Sequence, residues 1–167
     1  MKRSIATIVT SLGLAGLLWA CAAVPQPGAT AAAPEPSGKA LWSSLQAQKY
    51  TSWKMWPGKT ALYQGTEPHG ALLTTYVNGP ALGAIEGKKG TMPAGAVVVK
   101  ENYMPDTMLA AITVMYKVPG YNPAGGDWFW AKYAPDGKIE AEGKVDMCLG
   151  CHSREVGNDY LFTGALK

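Results

Sequence analysis

Cysteine and histidine are scarce in this chain of 167 residues, which holds three of the first and two of the second. Charge is thin as well: 15 basic and 12 acidic side chains give a formal net charge of +3. Lys2 and Arg3 contribute two of those positive charges at the amino end. The remainder is close to neutral, which gives no electrostatic footprint for nucleic acid or for steering an acidic partner. A tetrahedral zinc site needs four ligands, and beyond one late pair of cysteines with its histidine the chain offers only His69, Cys21 and carboxylates. Long apolar runs are missing too, except for Ile5 to Ala20, which is short for a membrane span.

That run follows Met1-Lys2-Arg3, a basic head before a short hydrophobic core, and so reads as a secretory signal over residues 1–23. Leu18-Trp19-Ala20-Cys21 also resembles a bacterial lipobox. Two outcomes stay open: a periplasmic protein free in solution, or a lipoprotein tethered to the membrane through Cys21. Residues 24–38, with Pro25, Pro27, Pro34 and Pro36 among alanines, have no apolar period and read as a tether. Residues 39–167 form the folded domain, of ordinary size.

The late pair is Cys148-Leu149-Gly150-Cys151-His152. Two thiols at this spacing can add to the two vinyl groups of one porphyrin, and the histidine that follows falls beneath the iron, so the motif predicts one covalent c-type haem with His152 as its proximal ligand. A redox dithiol would want a βαβ unit before it, and none is visible. With both thiols used in this way and Cys21 removed or lipidated, no structural disulfide remains.

Periodicity predicts a helix over Lys39 to Trp53 with Ser37 as its cap, then a loop over Lys54 to Tyr63. A strand follows over Ala71 to Asn78, then a short helix over Pro80 to Lys88. Three more strands are predicted over Ala96 to Tyr103, Leu109 to Lys117 and Trp128 to Tyr133, with Ile112, Val114 and Tyr116 sharing one face. Short connections favour antiparallel pairing. The fold class is therefore α+β: a mainly antiparallel sheet with a few helices around one c-type haem, the attachment motif lying near the carboxyl end.

Lys100 and Glu101, inside the valine-rich strand, are the candidate catalytic residues. In an apolar setting the lysine amine would be desolvated and nucleophilic; on a solvent face it would be an ordinary charged side chain. Phe129 and Trp130 are candidate walls for the open side of the iron, or else plain core. His69, on the tight Pro68-His69-Gly70 loop, could bond the iron from the distal side, touch a propionate, or be exposed. Met104, Met108 and Met115 could supply a thioether, though methionine at such positions is usually core filling.

Gly95-Ala96-Val97-Val98-Val99-Lys100-Glu101, Gly126-Asp127-Trp128, and the haem motif followed by Asp159-Tyr160-Leu161-Phe162-Thr163 together resemble the cytochrome P-460 family. The resemblance spans most of the chain after Leu41. It implies a sheet packed on a mono-haem, hydroxylamine oxidation with nitric oxide chemistry in enzymatic members, and a covalent bond from Lys100 to the ring. A related branch, cytochrome c′-beta, implies gas binding without the cross-link, in a pocket lined by phenylalanine. This chain has only Phe129 and Phe162 for such a lining. The resemblance also implies a redox partner cytochrome and a homodimer, and the family's distal acidic residue has no matched position here.

Overall fold

The computed structural model describes residues 33–167. The expected signal segment, Cys21 and most of the expected tether lie outside the described residues. Seven strands form one antiparallel sheet: β1 (Lys54–Met55), β2 (Tyr63–Gln64), β3 (Leu72–Val77), β4 (Val97–Tyr103), β5 (Leu109–Lys117), β6 (Trp128–Tyr133) and β7 (Ile139–Gly143). The order is β1-β3-β4-β5-β6-β7, with β2 pairing the other half of β3. From β3 onward every strand lies beside its sequence neighbour, through short connections except between β3 and β4, where α2 intervenes.

Period-two alternation divides the long strands between two apolar faces. On one face, Val97, Val99, Ile112, Val114, Tyr116, Phe129, Ala131 and Tyr133 pack with Leu41 and Leu45 of α1 (Gly38–Ala47). The other face carries Val98, Met115, Trp128 and Trp130. It is covered by α2 (Gly79–Glu86) and by the carboxyl-terminal segment, through Tyr160, Leu161 and Leu166. The motif helix α3 (Asp146–His152) lies on this second face, with Cys148 and Leu149 against its core.

Local chemistry sets the helix ends. The Ser37 side chain accepts from the Ala40 N–H at 3.2 Å and so starts α1 as a cap should. The predicted run to Trp53 is cut short at Ala47, because Lys49 adopts a left-handed conformation and a 3-10 turn follows at Tyr50–Ser52. Asn78 caps α2 by accepting from the Ala81 N–H, and the same oxygen takes the Val97 N–H, which ties the helix start to β4.

Three further expectations shift. The loop over Lys54 to Tyr63 contains two-residue strands at its ends, both on the edge formed by β3. Strand β7 was invisible to periodicity because Ile139-Glu140-Ala141-Glu142-Gly143 offers one large apolar side chain and stays largely exposed at the sheet edge. The last tether residues are part of the body: the Pro34 carbonyl accepts from the Tyr116 hydroxyl at 3.0 Å, and Gly38 is buried. No helix among the described residues is long and apolar enough to cross a membrane.

Candidate cofactor site

Helix α3 brings Cys148, Cys151 and His152 within one and a half turns, which places the two thiols near each other and the imidazole just beyond. Both cysteines are free and half-buried. His152 is buried, and its Nδ1 lies 2.6 Å from the Tyr160 carbonyl oxygen. A carbonyl can only accept, so Nδ1 carries the proton and Nε2 keeps its lone pair for a metal. Three rings surround this imidazole edge-on, with centroids at 4.7 Å for Trp130, 5.2 Å for Phe162 and 6.2 Å for His69.

A cavity of about 860 Å³ opens beside them, lined by both thiols and by His152, His69, Lys100 and Asn102 among others. Its sheet wall follows from register. Lys100 on β4 pairs with Thr113 on β5, which pairs with Lys132 on β6, and all three line the cavity. One pleat along, Val98, Met115 and Trp130 form an apolar wall to a smaller inner pocket that also reaches His152. The second face of the sheet is therefore apolar under α2 and polar under α3.

The His69 tautomer is fixed by its neighbour. The Asn102 amide nitrogen donates to the carbonyls of Lys100 at 2.9 Å and Ala111 at 3.2 Å. Its oxygen must then face His69, whose Nδ1–H donates to it at 2.9 Å. Both histidines of the chain thus have Nδ1 satisfied and Nε2 unbound. Burial, with help from Lys100, pushes the His69 pKa down to about 4, so the ring is neutral at ordinary pH. Burial likewise pushes the Lys100 amine down to about 8, with repulsion from Lys59 adding to it. The Cys148 thiol is pushed up by burial and by Cys151.

Of the residues singled out from the sequence, Cys148, Cys151, His152, Lys100, His69 and Trp130 converge here. Glu101 does not. As the residue after Lys100 it points through the sheet to the α1 face, where it accepts from the hydroxyls of Tyr50 at 2.8 Å and Tyr103 at 2.6 Å. It is a buried structural carboxylate and cannot act in the cavity. Phe129 is corrected for the same reason: next to Trp130 on β6, it is buried against Tyr121 on the α1 face. Trp130 does reach the site, but it flanks the His152 ring and is no wall opposite it. Met108 is exposed, Met104 is exposed at the edge of the cavity, and Met115 is buried in the core, where it also walls the inner pocket. Asn102 and Thr113 were missed, although counting by two from Lys100 along β4 points to Asn102. Phe162, singled out from the sequence as one of two phenylalanines and as part of the stretch after the haem motif, lines the cavity with Tyr63 and is half exposed.

The Cytochrome P460 family model matches residues 47–163, a stretch that runs from the end of α1 to just past Phe162. The chain belongs to the cytochrome P460 family. No curated protein matches it. Membership implies a haem c cofactor, and the residues of this P460-type domain fit one. The cavity is of ligand size, two free thiols line it, and the one unclaimed nitrogen of His152 is a metal donor. The buried Trp130 Nε1–H beside His152 also has no partner among the described residues.

Proposed function

We propose that this P460-type domain is a periplasmic mono-haem c-type cytochrome that binds or oxidises hydroxylamine or nitric oxide. The observation that carries the reading is the convergence of Cys148, Cys151, the Nε2 of His152 and the Lys100 amine on one cavity. Bound there, haem supplies an iron that can take a small nitrogen ligand and exchange electrons with a partner cytochrome.

The chain's own residues supply the rest. The two thiols would hold the ring as thioethers, each S–H adding across one vinyl group, and Tyr160 holds His152 in the tautomer that presents Nε2. Lys100, with its amine pushed down to about 8, has a usable fraction of neutral, nucleophilic amine near neutral pH and is the residue that would bond the ring, an amine N–H and a ring C–H giving way to a C–N bond as a peroxide-class oxidant takes up two electrons and two protons. The neutral His69 ring keeps an Nε2 able to accept a proton from an N–H or O–H bond, a role for which the cavity offers, among the described residues, only the exposed Glu67 as a carboxylate. Thr113 and Asn102 provide hydroxyl and amide groups on the same wall.

Mass spectrometry of a protease digest tests the assignment. The expected result is one haem joined covalently to two peptides, one carrying Cys148, Cys151 and His152 and the other carrying Lys100. A haem bearing only the cysteine peptide removes the cross-link and moves the protein to the gas-binding branch, which takes nitric oxide and leaves hydroxylamine unoxidised. A digest without any haem peptide defeats the reading.

A second reading is favoured by the arrangement of the two histidines, which share the cavity with Nε2 free on each and ring centroids 6.2 Å apart. Two imidazoles bonded at about 2 Å to opposite sides of one metal would have centroids about 6 Å apart. The protein would then be an electron carrier with a low-spin iron, and His69→Ala would turn that spectrum high-spin.

A further inference from the structure

The carbonyl that holds His152 belongs to an unusual piece of backbone. Asp159 and Tyr160 have φ of 52° and 66°, the only adjacent pair of left-handed residues other than glycine among the described residues. A residue with a Cβ disfavours that conformation, so two in a row need outside support.

The support converges on Asp159 from three parts of the chain. The Lys117 ammonium at the end of β5 pairs with its Oδ1 at 2.6 Å, and both side chains are nearly closed to solvent. The Met92 N–H, in the loop before β4, donates to Oδ2 at 2.7 Å. The Trp128 indole N–H, at the start of β6, donates to the Asp159 carbonyl at 3.0 Å. Lys117 also lies over the Trp128 ring, 4.7 Å from its centroid. Tyr160 is held in turn: its N–H donates to the Glu155 carbonyl at 2.8 Å and its hydroxyl to the Ala124 carbonyl at 3.2 Å. Its ring fills the space where Gly126 lacks a side chain, since a Cβ there would meet it at 2.4 Å. The Tyr160 carbonyl is thereby aimed at His152 Nδ1–H.

We propose that Asp159, clamped by Lys117, is a positioning residue for the iron ligand: it fixes the Tyr160 carbonyl that sets the orientation and the electron-donating strength of His152. The inference rests on the reading of His152 as the axial ligand. A strong acceptor on Nδ1–H makes an imidazole a better donor to its metal and stabilises the oxidised iron. Loosening the clamp weakens that hydrogen bond without touching the iron or emptying the cavity. Asp159 does not line the cavity, so the effect travels only through backbone and His152.

The test measures the reduction potential and the ferrous iron–histidine stretch of the purified holoprotein in Asp159→Asn, Lys117→Met and Trp128→Phe variants. Glu86→Gln, which neutralises an exposed carboxylate at the end of α2 that lines neither pocket, is the control. Expected are a raised potential and a lowered stretching frequency in Asp159→Asn and Lys117→Met, a smaller shift of the same sign in Trp128→Phe, and no shift in Glu86→Gln. If Asp159→Asn does not yield holoprotein, Trp128→Phe decides, since it keeps a ring in place and drops a single donor. Variants that melt earlier but keep the parent potential and stretch would overturn the proposal and leave Asp159 a purely structural ion pair. His152→Ala separates this from failure of the underlying reading: a parent-like absorption spectrum in that variant means His152 is not the ligand.

Discussion

Lys100 and Glu101 are neighbours on β4 yet sit in different chemical worlds. Glu101 is buried on the α1 face, and both carboxylate oxygens are used by tyrosine hydroxyls. Those hydroxyls are held well above the usual tyrosine pKa range, chiefly by burial and then by the carboxylate itself. Lys100 is on the α3 face, with its amine desolvated and no salt bridge among the described residues. One face is a closed core in which each buried charge is answered. The other keeps a cavity, a weakened lysine, an indole N–H without a partner and two free thiols. A sheet that finishes its packing on one side can leave the other side incomplete, and the incomplete side is where a cofactor belongs.

Substitutions can break that contrast, the largest effect first. Phe129→Ala on the closed face empties a fully buried site and should cost about 3–5 kcal/mol in denaturant unfolding, whereas Phe162→Ala at the cavity mouth should cost under about 1 kcal/mol because that ring is half exposed. Equal costs would mean the two faces are packed alike. Glu101→Ala strands the Tyr50 and Tyr103 hydroxyls, and a loss of about 2–3 kcal/mol is expected from unfolding curves with little change at the cavity; altered haem spectra in that variant would contradict the separation of the faces.

Lys100→Met should act in the opposite direction. Folding lowers the amine pKa from 10.5 to about 8, so the unfolded chain binds more protons between those values and stability rises with pH across that window. Below pH 8 the full cost of burying the charge is present. In a Cys148→Ser, Cys151→Ser background, the methionine variant should be more stable at pH 7 by on the order of 2 kcal/mol, after allowance for the partly exposed amine. The gain should vanish above about pH 10.5. Urea unfolding at pH 7 and pH 10.5 checks this, and a gain independent of pH would show that the amine is already solvated.

Much of this was legible in the sequence because the signals were local. Alternation in β5 and β6 gave those strands their observed limits, and the Cys-x-x-Cys-His spacing delivered the thiols and imidazole to one helix. What was hidden depended on partners far along the chain. Strand β7 holds its place by pairing with β6, not by its own weak pattern. The opposite roles of Lys100 and Glu101 follow from period two, but which face would stay open depended on where α1 and α3 came to rest. No local rule could show that residue 160 would supply the acceptor for His152, or that Lys117, Met92 and Trp128 would meet at Asp159.

The meander from β3 to β7 also bears on the order of assembly. From β4 to β7 each strand pairs with the next across a short connection, so those loops close at little cost and this part of the sheet is kinetically accessible; the β3–β4 connection, which carries α2, is longer. The open face is finished only by the last twenty or so residues, through remote links such as the Gly90 N–H to the Leu166 carbonyl and the Met92 N–H to Asp159. A groove with its lysine wall already in register would then exist before the segment that carries Cys148, Cys151 and His152 closes over it.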